Sequence, residues 1–531
     1  MQINEETGPT NQQTQGPKKF NFSIVGGGTA GWLTALYIKK YYPWANVRVI
    51  ASSEIGILGA GEGTTPQIIS FLDSLGIAVS DIVKYAKGTI KNGIKFTNWN
   101  GDNASYFHNF TGGYDNNPFL VGDTTGNGHS SLILEQIALG ESLDDVMFPS
   151  QLSQKNLVGY TPINSVLNKN EPPIFHFNKF SNHALHFDAK LLAKFLKKTA
   201  MYRGIKFVED DITTPQTDTN GYITGLNTKK GELIPSDFVF DCSGFSRLLI
   251  GDFYKTKWIS YADSLPMKKS IAFFIANDSD TIPPYTESIA MKYGWAWKIP
   301  VEGRFGCGYC FDSDFITDEE AIAEIKEHFG DDIEIGNTFE YEAGRYENSW
   351  VKNCIAIGLA NGFVEPLEAT SIWGFIGSLR YFTENTIGVM TRDEFILNKF
   401  NEKMNKFNDN VKDFIFLHYL TKRDDSDFWK TFRDKNKTTE NIEKLLNECK
   451  HTMPDNDFIN SISKFFDITS FYTIMDGLGL FDKEIAINTF NSLVSDIRRD
   501  EIAERKKLYF LNMFVTLKTA QDHADFIKYL R

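Results

Sequence analysis

The sequence predicts an α/β protein, a Rossmann-type body with additional β-sheet followed by a mainly helical C-terminal lobe. Three observations predict it. An apolar run at 20–25 ends in Gly26-Gly27-Gly28-Thr29-Ala30-Gly31; a helical pattern through Trp32, Leu33, Leu36, Tyr37 and Ile38 follows, and then a β-rich run at 47–50. Strand, glycine-rich turn, helix, strand is the opening of a βαβ unit. From 205 to 240 short β-like runs alternate with turn signals such as Thr219-Asn220-Gly221 and Lys230-Gly231-Glu232, and 270–315 is again strand-rich. After Thr370 strand signals thin out, and helical stretches rich in Phe, Lys, Asp and Asn run to Arg531. These textures divide the chain into a polar tail at 1–19, a body at 20–375 and a helical lobe at 376–531.

The tail holds Gln, Thr, Asn, Glu, Gly, Pro and Lys with almost nothing apolar, which suits disorder and lacks the core of a signal peptide. In the turn that follows, Gly26, Gly28 and Gly31 hold the three glycine positions of G-x-G-x-x-G, with Thr29 and Ala30 between the last two. The first glycine permits the tight turn, the second lets a pyrophosphate approach, and the third lets helix and strand pack. The helix start then offers free N–H groups to phosphate. The acid expected at the end of the second strand falls near Ala51, with Ser52, Ser53 or Glu54 as substitutes. That departure weakens a plain NAD reading and leaves FAD open.

Ile90 to Phe96 alternates, which puts Ile90, Asn92, Ile94 and Phe96 on one face and Lys91, Gly93 and Lys95 on the other. Ser150 to Asn182 reads as a long loop, and Phe187 to Ala200 as a helix with Leu191, Leu192, Phe195 and Leu196 at core spacing. The strand 238–241 exits through Asp241-Cys242-Ser243-Gly244, a turn that brings backbone close to a bound nucleotide, or an ordinary strand exit.

Composition bounds the partners. Hydrophobic residues make up 42% and charged residues 23%, enough for a large core, and the net charge of -13 disfavours nucleic acid. No run of about 18 apolar residues suggests a membrane helix. Five cysteines, odd in number and sparse, suit reduced thiols in a cytoplasmic protein. Cys307-Gly-Tyr-Cys310 is a lone pair inside a strand-like run, too few ligands for zinc, and no metal site is expected.

Four further segments carry a resemblance: Gly61-Glu62-Gly63-Thr64-Thr65-Pro66, Ile90 to Phe96, Gly294-Trp295-Ala296-Trp297-Lys298-Ile299-Pro300, and Gly358-Leu359-Ala360-Asn361-Gly362-Phe363-Val364-Glu365-Pro366-Leu367-Glu368-Ala369-Thr370-Ser371. With the glycine turn and the Asp241-to-Gly244 exit, they make the chain resemble the flavin-dependent tryptophan halogenase family from about residue 20 to about residue 375. The Trp-x-Trp-x-Ile-Pro element is the most specific, because it separates that family from related flavin monooxygenases.

The resemblance implies a flavin monooxygenase-like body that binds FAD through Gly26, Gly28, Thr29, Ala30, Gly31, Gly61, Gly63, Thr64, Asp241, Gly244 and Gly358. It implies that reduced FAD, supplied by a separate flavin reductase, reacts with O2, that halide is oxidised to hypohalous acid, and that Lys91 receives this beside the substrate while Glu368 assists. Lys95 is the fallback for Lys91. Thr370 and Ser371 are placed at halide, and His108 and Phe110 around the aromatic ring.

Each residue has a plainer reading. A strand lysine is commonly solvated, Glu368 suits a helix start after Pro366, two tryptophans at that spacing are commonly core, and a histidine among aromatics is commonly a satisfied core residue. The family commonly has Ser-Thr-Gly where this chain has Ala369-Thr370-Ser371, so the hydroxyl at 369 is lost. The lobe carries no recognisable grip for the amino and carboxylate groups of free tryptophan, and an indole or phenol is expected instead. The alternatives are a flavin-dependent aromatic hydroxylase and a non-catalytic nucleotide-fold protein. Halide preference and homo-oligomerisation stay open.

Overall fold

The computed structural model describes residues 19–52, 62–111, 130–162, 175–177, 182–277, 279–435, 437–494 and 496–531. Most of the polar tail, and Ser53, Glu54 and Gly61, lie outside the described residues. The first strand is Asn21–Val25, the first helix Thr29–Tyr41 and the second strand Asn46–Ala51. They form the centre of a six-stranded sheet ordered Lys206–Glu209, Asn46–Ala51, Asn21–Val25, Phe238–Asp241, Cys354–Ala356, Trp350–Val351. The first five strands run parallel and Trp350–Val351 turns back antiparallel. Phe22, Ile24, Val49, Val239 and Phe240 are fully buried, as a parallel sheet covered on both faces requires.

A second sheet of seven strands carries the additional β-structure. Its order is Glu334–Glu340, Lys269–Ala276, Arg304–Phe311, Gly294–Val301, Tyr285–Ala290, Gly93–Thr97, Ser105–Asn109. A short three-stranded sheet, Glu62–Gly63 with Ala184–Phe187 and Thr89–Lys91, spans the space between. The alternation expected over 90–96 is interrupted here. The chain leaves the small sheet at Lys91, the Asn92 N–H donates to the Pro284 carbonyl at 2.6 Å, and a new strand begins in the large sheet at Gly93. Lys91 and Lys95 therefore do not share a face. Lys91 is buried, while Lys95 reaches Glu287 at 3.4 Å near the surface and drops out as the fallback.

The long loop expected over Ser150 to Asn182 is replaced in part by structure: Ser150 to Gln154 lie in the helix Phe148–Gln154, and Leu157–Val158 and Tyr160–Pro162 are short strands. The helix expected over 187–200 is Ala189–Tyr202, capped by the Asp188 carboxylate accepting from the Leu191 N–H. From Ser371 on, ten helices account for nearly all the regular structure among the described residues. The last, His523–Leu530, returns to the body. The Ile90 N–H donates to His523 Nε2 at 2.9 Å, so the carboxyl end of the chain braces the strand that carries Lys91.

Candidate active site

The glycine turn is built for close approach. Gly26 has φ +123, and a Cβ there would sit 2.1 Å from the Cys242 carbonyl oxygen; a Cβ on Gly31 would sit 2.0 Å from the Gly26 oxygen. Both positions exclude a side chain because backbone packs against them. A Cβ on Gly28 would meet nothing within 4 Å. Gly28 thus faces open space at the start of the Thr29–Tyr41 helix, whose first turn holds no acid and has no side-chain cap. The free N–H groups and the open glycine fit a dinucleotide phosphate.

Gly358 has φ +66, and a Cβ there would sit 3.3 Å from the Ala30 methyl; Gly244, at φ +69, faces open space. Thr29 donates to Glu62 at 3.5 Å, and burial with the nearby Asp188 charge pushes Glu62 up to about 7. Thr64 is spent on the strand exchange: its hydroxyl donates to the Leu185 carbonyl and accepts from the Leu185 N–H. Asp241 is also spent internally. Its carboxylate accepts from Ser243, Leu249 and Ile250 N–H groups and the Ser243 hydroxyl, so it shapes the turn and has no arm left for a nucleotide.

Lys91 is 0% exposed, and its Nζ is buried with no hydrogen-bond partner. Burial pulls its pKa from 10.5 to about 8, against the charge of Glu368. The ammonium lies 5.4 Å from the centre of the Phe110 ring. A Cβ on Gly63 would be 3.3 Å from Nζ, 3.4 Å from the Thr286 hydroxyl and 3.6 Å from the Ala369 methyl. Gly63 therefore runs directly over the lysine, and the missing hydroxyl at 369 leaves a methyl facing it. Behind Lys91, the Thr89 hydroxyl donates to the Pro300 carbonyl, so it accepts from His186 Nδ1, and His186 Nε2 accepts from Thr286. That ring is neutral, and burial with the Lys91 charge holds its pKa well below the usual histidine range.

Glu368 is not a helix-start acid. It ends the 3-10 turn Pro366–Glu368, Ala369 follows in the left-handed region at φ 55, and the helix Ser371–Glu384 begins beyond it with no acid in its first turn. The Glu368 carboxylate is buried and accepts from His108 Nδ1 at 2.9 and 3.0 Å and from His418 Nε2 at 2.9 Å. Burial raises its pKa, and the two histidines outweigh burial and hold it at about 2. Lys91 and Glu368, remote in sequence, thus meet in one buried site with His108 and Phe110. Thr370 is buried at the start of the following helix and Ser371 opens it, and the first turn of that helix holds no acid.

The Trp-x-Trp-x-Ile-Pro element divides its roles. Trp295 is fully buried, and its indole N–H lies 3.0 Å from the Tyr419 hydroxyl and 3.3 Å from Glu365. Glu365 also accepts from Tyr419 and, at 3.2 Å, from the Met267 N–H, and burial pushes it up to about 7. Trp295 therefore anchors the segment that ends three residues later in Glu368. Trp297 is half-buried and lies flat on Gly308, where a Cβ would meet its ring at 2.0 Å.

Trp429, Phe471 and Tyr472 pack into the helical core. Cys307 and Cys310 are free thiols, and no metal-ligating group forms among the described residues. Nor is any described helix long and apolar enough to cross a membrane. Sequence reasoning missed His418 and Glu365. A histidine closing the apolar run Phe414-Ile415-Phe416-Leu417 was the available signal.

Comparisons with known proteins cover nearly the whole chain. The tryptophan halogenase family model matches residues 21–489, well past 375, where the recognisable motifs end. The tryptophan 7-halogenase RebH of Lentzea aerocolonigenes is 32% identical over 482 residues, covering 86% of this chain and 89% of that protein. The tryptophan 6-halogenase ThaL of Streptomyces albogriseolus is 31% identical over 492 residues, 87% of this chain and 89% of that protein. Among solved structures, BrvH, a flavin-dependent halogenase from Brevundimonas sp. BAL3, aligns with a TM-score of 0.80 at 27% identity, over 97% of this chain and 99% of its own.

Proposed function

The chain belongs to the tryptophan halogenase family of flavin-dependent enzymes, and we propose that it makes hypohalous acid from halide and O2 with reduced FAD and uses Lys91 and Glu368 to halogenate an electron-rich aromatic such as an indole or phenol. Reduced FAD with O2 supplies the oxidising equivalent. The residues that would hold it are Gly26, Gly28, Gly31, Gly244 and Gly358 with the first turn of the Thr29–Tyr41 helix. The N–H groups at Thr370 and Ser371 suit a halide, because a helix start offers partial positive charge.

One observation carries the reading: a lysine fully buried without a hydrogen-bond partner, within the electrostatic reach of a buried carboxylate. Burying an unpartnered ammonium costs stability, which a structural role does not repay. Near neutral pH a lysine at about 8 exists mainly as ammonium with a minor amine fraction. The first can hold hypohalous acid by hydrogen bonds, and the second can take up the halogen. The Lys91–Phe110 contact places an aromatic ring next to that nitrogen.

The reading is tested with a separate flavin reductase, NADH, FAD, O2 and each halide over a panel of indoles, phenols and free tryptophan, scored by product mass. A halogen mass shift with wild type and none with Lys91→Ala supports it. A gain of 16 mass units instead would move the assignment to aromatic hydroxylation. Free tryptophan turned over much faster than the simple indoles and phenols would overturn the substrate class.

A further inference from the structure

Glu368 shares its site with two histidines whose protons can be assigned from geometry. His418 Nδ1 lies 2.8 Å from the Phe414 carbonyl, which can only accept, so this nitrogen carries hydrogen. His418 Nε2 lies 2.9 Å from Glu368 Oε1, and that contact requires a second proton between them. His418 and Glu368 therefore act as a proton-sharing pair, 0% and 2% exposed.

On the other side, His108 Nδ1 lies across both carboxylate oxygens and donates to them. In a neutral imidazole the lone pair is then left on Nε2. Among the described residues no group bonds this Nε2. His108 lies on the strand Ser105–Asn109, and Phe110, just past its end, has its ring centre 5.4 Å from the Lys91 ammonium.

We infer that His108 Nε2 is the base that takes the proton from the halogenated ring carbon, while Glu368 and His418 are positioning residues that fix its tautomer. This rests on the halogenase reading above. The C–X bond forms as the O–X bond of hypohalous acid or the N–X bond of a protonated Lys91 haloamine breaks, leaving hydroxide or the Lys91 amine. The C–H electron pair returns to the ring as its proton passes to Nε2, and that proton then neutralises the hydroxide to water or restores the ammonium.

Glu368 is a poor base for this step. Three N–H contacts occupy its oxygens and favour its ionised form. The titratable group bonded to His108 is Glu368; His418 bonds the same carboxylate, and Lys91 and Tyr106 feel its charge. The arrangement is the carboxylate–imidazole pairing in which the acid orients the base.

The test uses ring-deuterated indole and phenol with bromide and reductase-supplied FAD. Wild type is expected to show no primary isotope effect, because proton loss is fast. In His108→Gln turnover should fall by about 10²-fold or more and a primary isotope effect should appear. In His108→Gly added imidazole should restore turnover and abolish that effect.

An isotope effect that stays at unity in His108→Gln, or imidazole that leaves the effect in His108→Gly unchanged, overturns the inference. If wild type brominates neither probe nor any member of the aromatic panel, the halogenase reading fails instead.

Discussion

Replacing Lys91 by Met should make the protein more stable and catalytically dead. Burial moves the Lys91 pKa from 10.5 to about 8. Each pKa unit is about 1.4 kcal/mol, so holding the ammonium in this site at pH 7 costs roughly 3 kcal/mol. Met has similar length and no charge, so the substitution removes that cost with little change in packing.

The sign follows from proton binding. The folded pKa lies below the unfolded one, so the cost is fully present below pH 8. It fades as pH rises from 8 toward 10.5, where the unfolded chain still holds the proton. Urea unfolding of both proteins should therefore show Lys91→Met ahead by roughly 3 kcal/mol at pH 7, with the gap narrowed to under half by pH 9.5. With unfolding entropy near 2.1 cal/mol/K per residue, the Tm gain for a chain of 531 residues is about 3 °C. A mutant less stable than wild type at pH 7, or a gap unchanged up to pH 9.5, would refute the claim that the ammonium is desolvated and unpartnered.

Gly28→Val, which adds a side chain into the open space at the turn, should fold normally and lose flavin affinity at least tenfold by fluorescence titration. Gly26→Ala should misfold, because its Cβ would lie 2.1 Å from the Cys242 carbonyl. Normal flavin binding by Gly28→Val would mean that the phosphates lie elsewhere. Trp295→Phe removes the indole N–H shared with Glu365 and Tyr419. It should cost about 1–2 kcal/mol in urea unfolding with flavin affinity unchanged; a flavin affinity that falls tenfold would place the indole against the cofactor. His183 and His523 are held neutral by burial at about 4, from 6.5. Their contribution is present above pH 6.5 and lost as pH falls toward 4, by up to about 3 kcal/mol each. His523→Gln should flatten that acid slope in urea titrations.

Much of the body was legible because its signals are local. The glycine turn, the strands that flank it and the helix-rich second half follow from turn chemistry and periodicity within short windows. The nucleotide turn needed no partner to be recognised, since Gly26 and Gly31 exclude a Cβ through contacts made inside one βαβ unit and its neighbouring strand. The Ser150-to-Asn182 stretch misled because its Asn, Pro and Ser content masks a helix end and short strands, Leu157–Val158 paired with distant Gln521–Asp522 and Tyr160–Pro162 with Phe175–Phe177.

The site was legible by resemblance and not by pattern. Lys91 and Lys95 look equivalent in an alternating run, and the change of sheet at Asn92 buries one and leaves the other beside Glu287. Asp241 reads as a nucleotide ligand in sequence, while its carboxylate caps its own turn. His418 has no motif at all: it becomes part of the site because a long helix ends against Glu368.

The sequence by itself determined a Rossmann-type opening, a β-rich middle and a helical end. The tertiary structure decided that Lys91 is buried without a partner, that Glu368 is flanked by His108 and His418, and that Trp295 anchors Glu365 in the core. The physical reason is that pKa, burial and proton sharing depend on what the whole chain packs around a group, and no local window of sequence contains those neighbours.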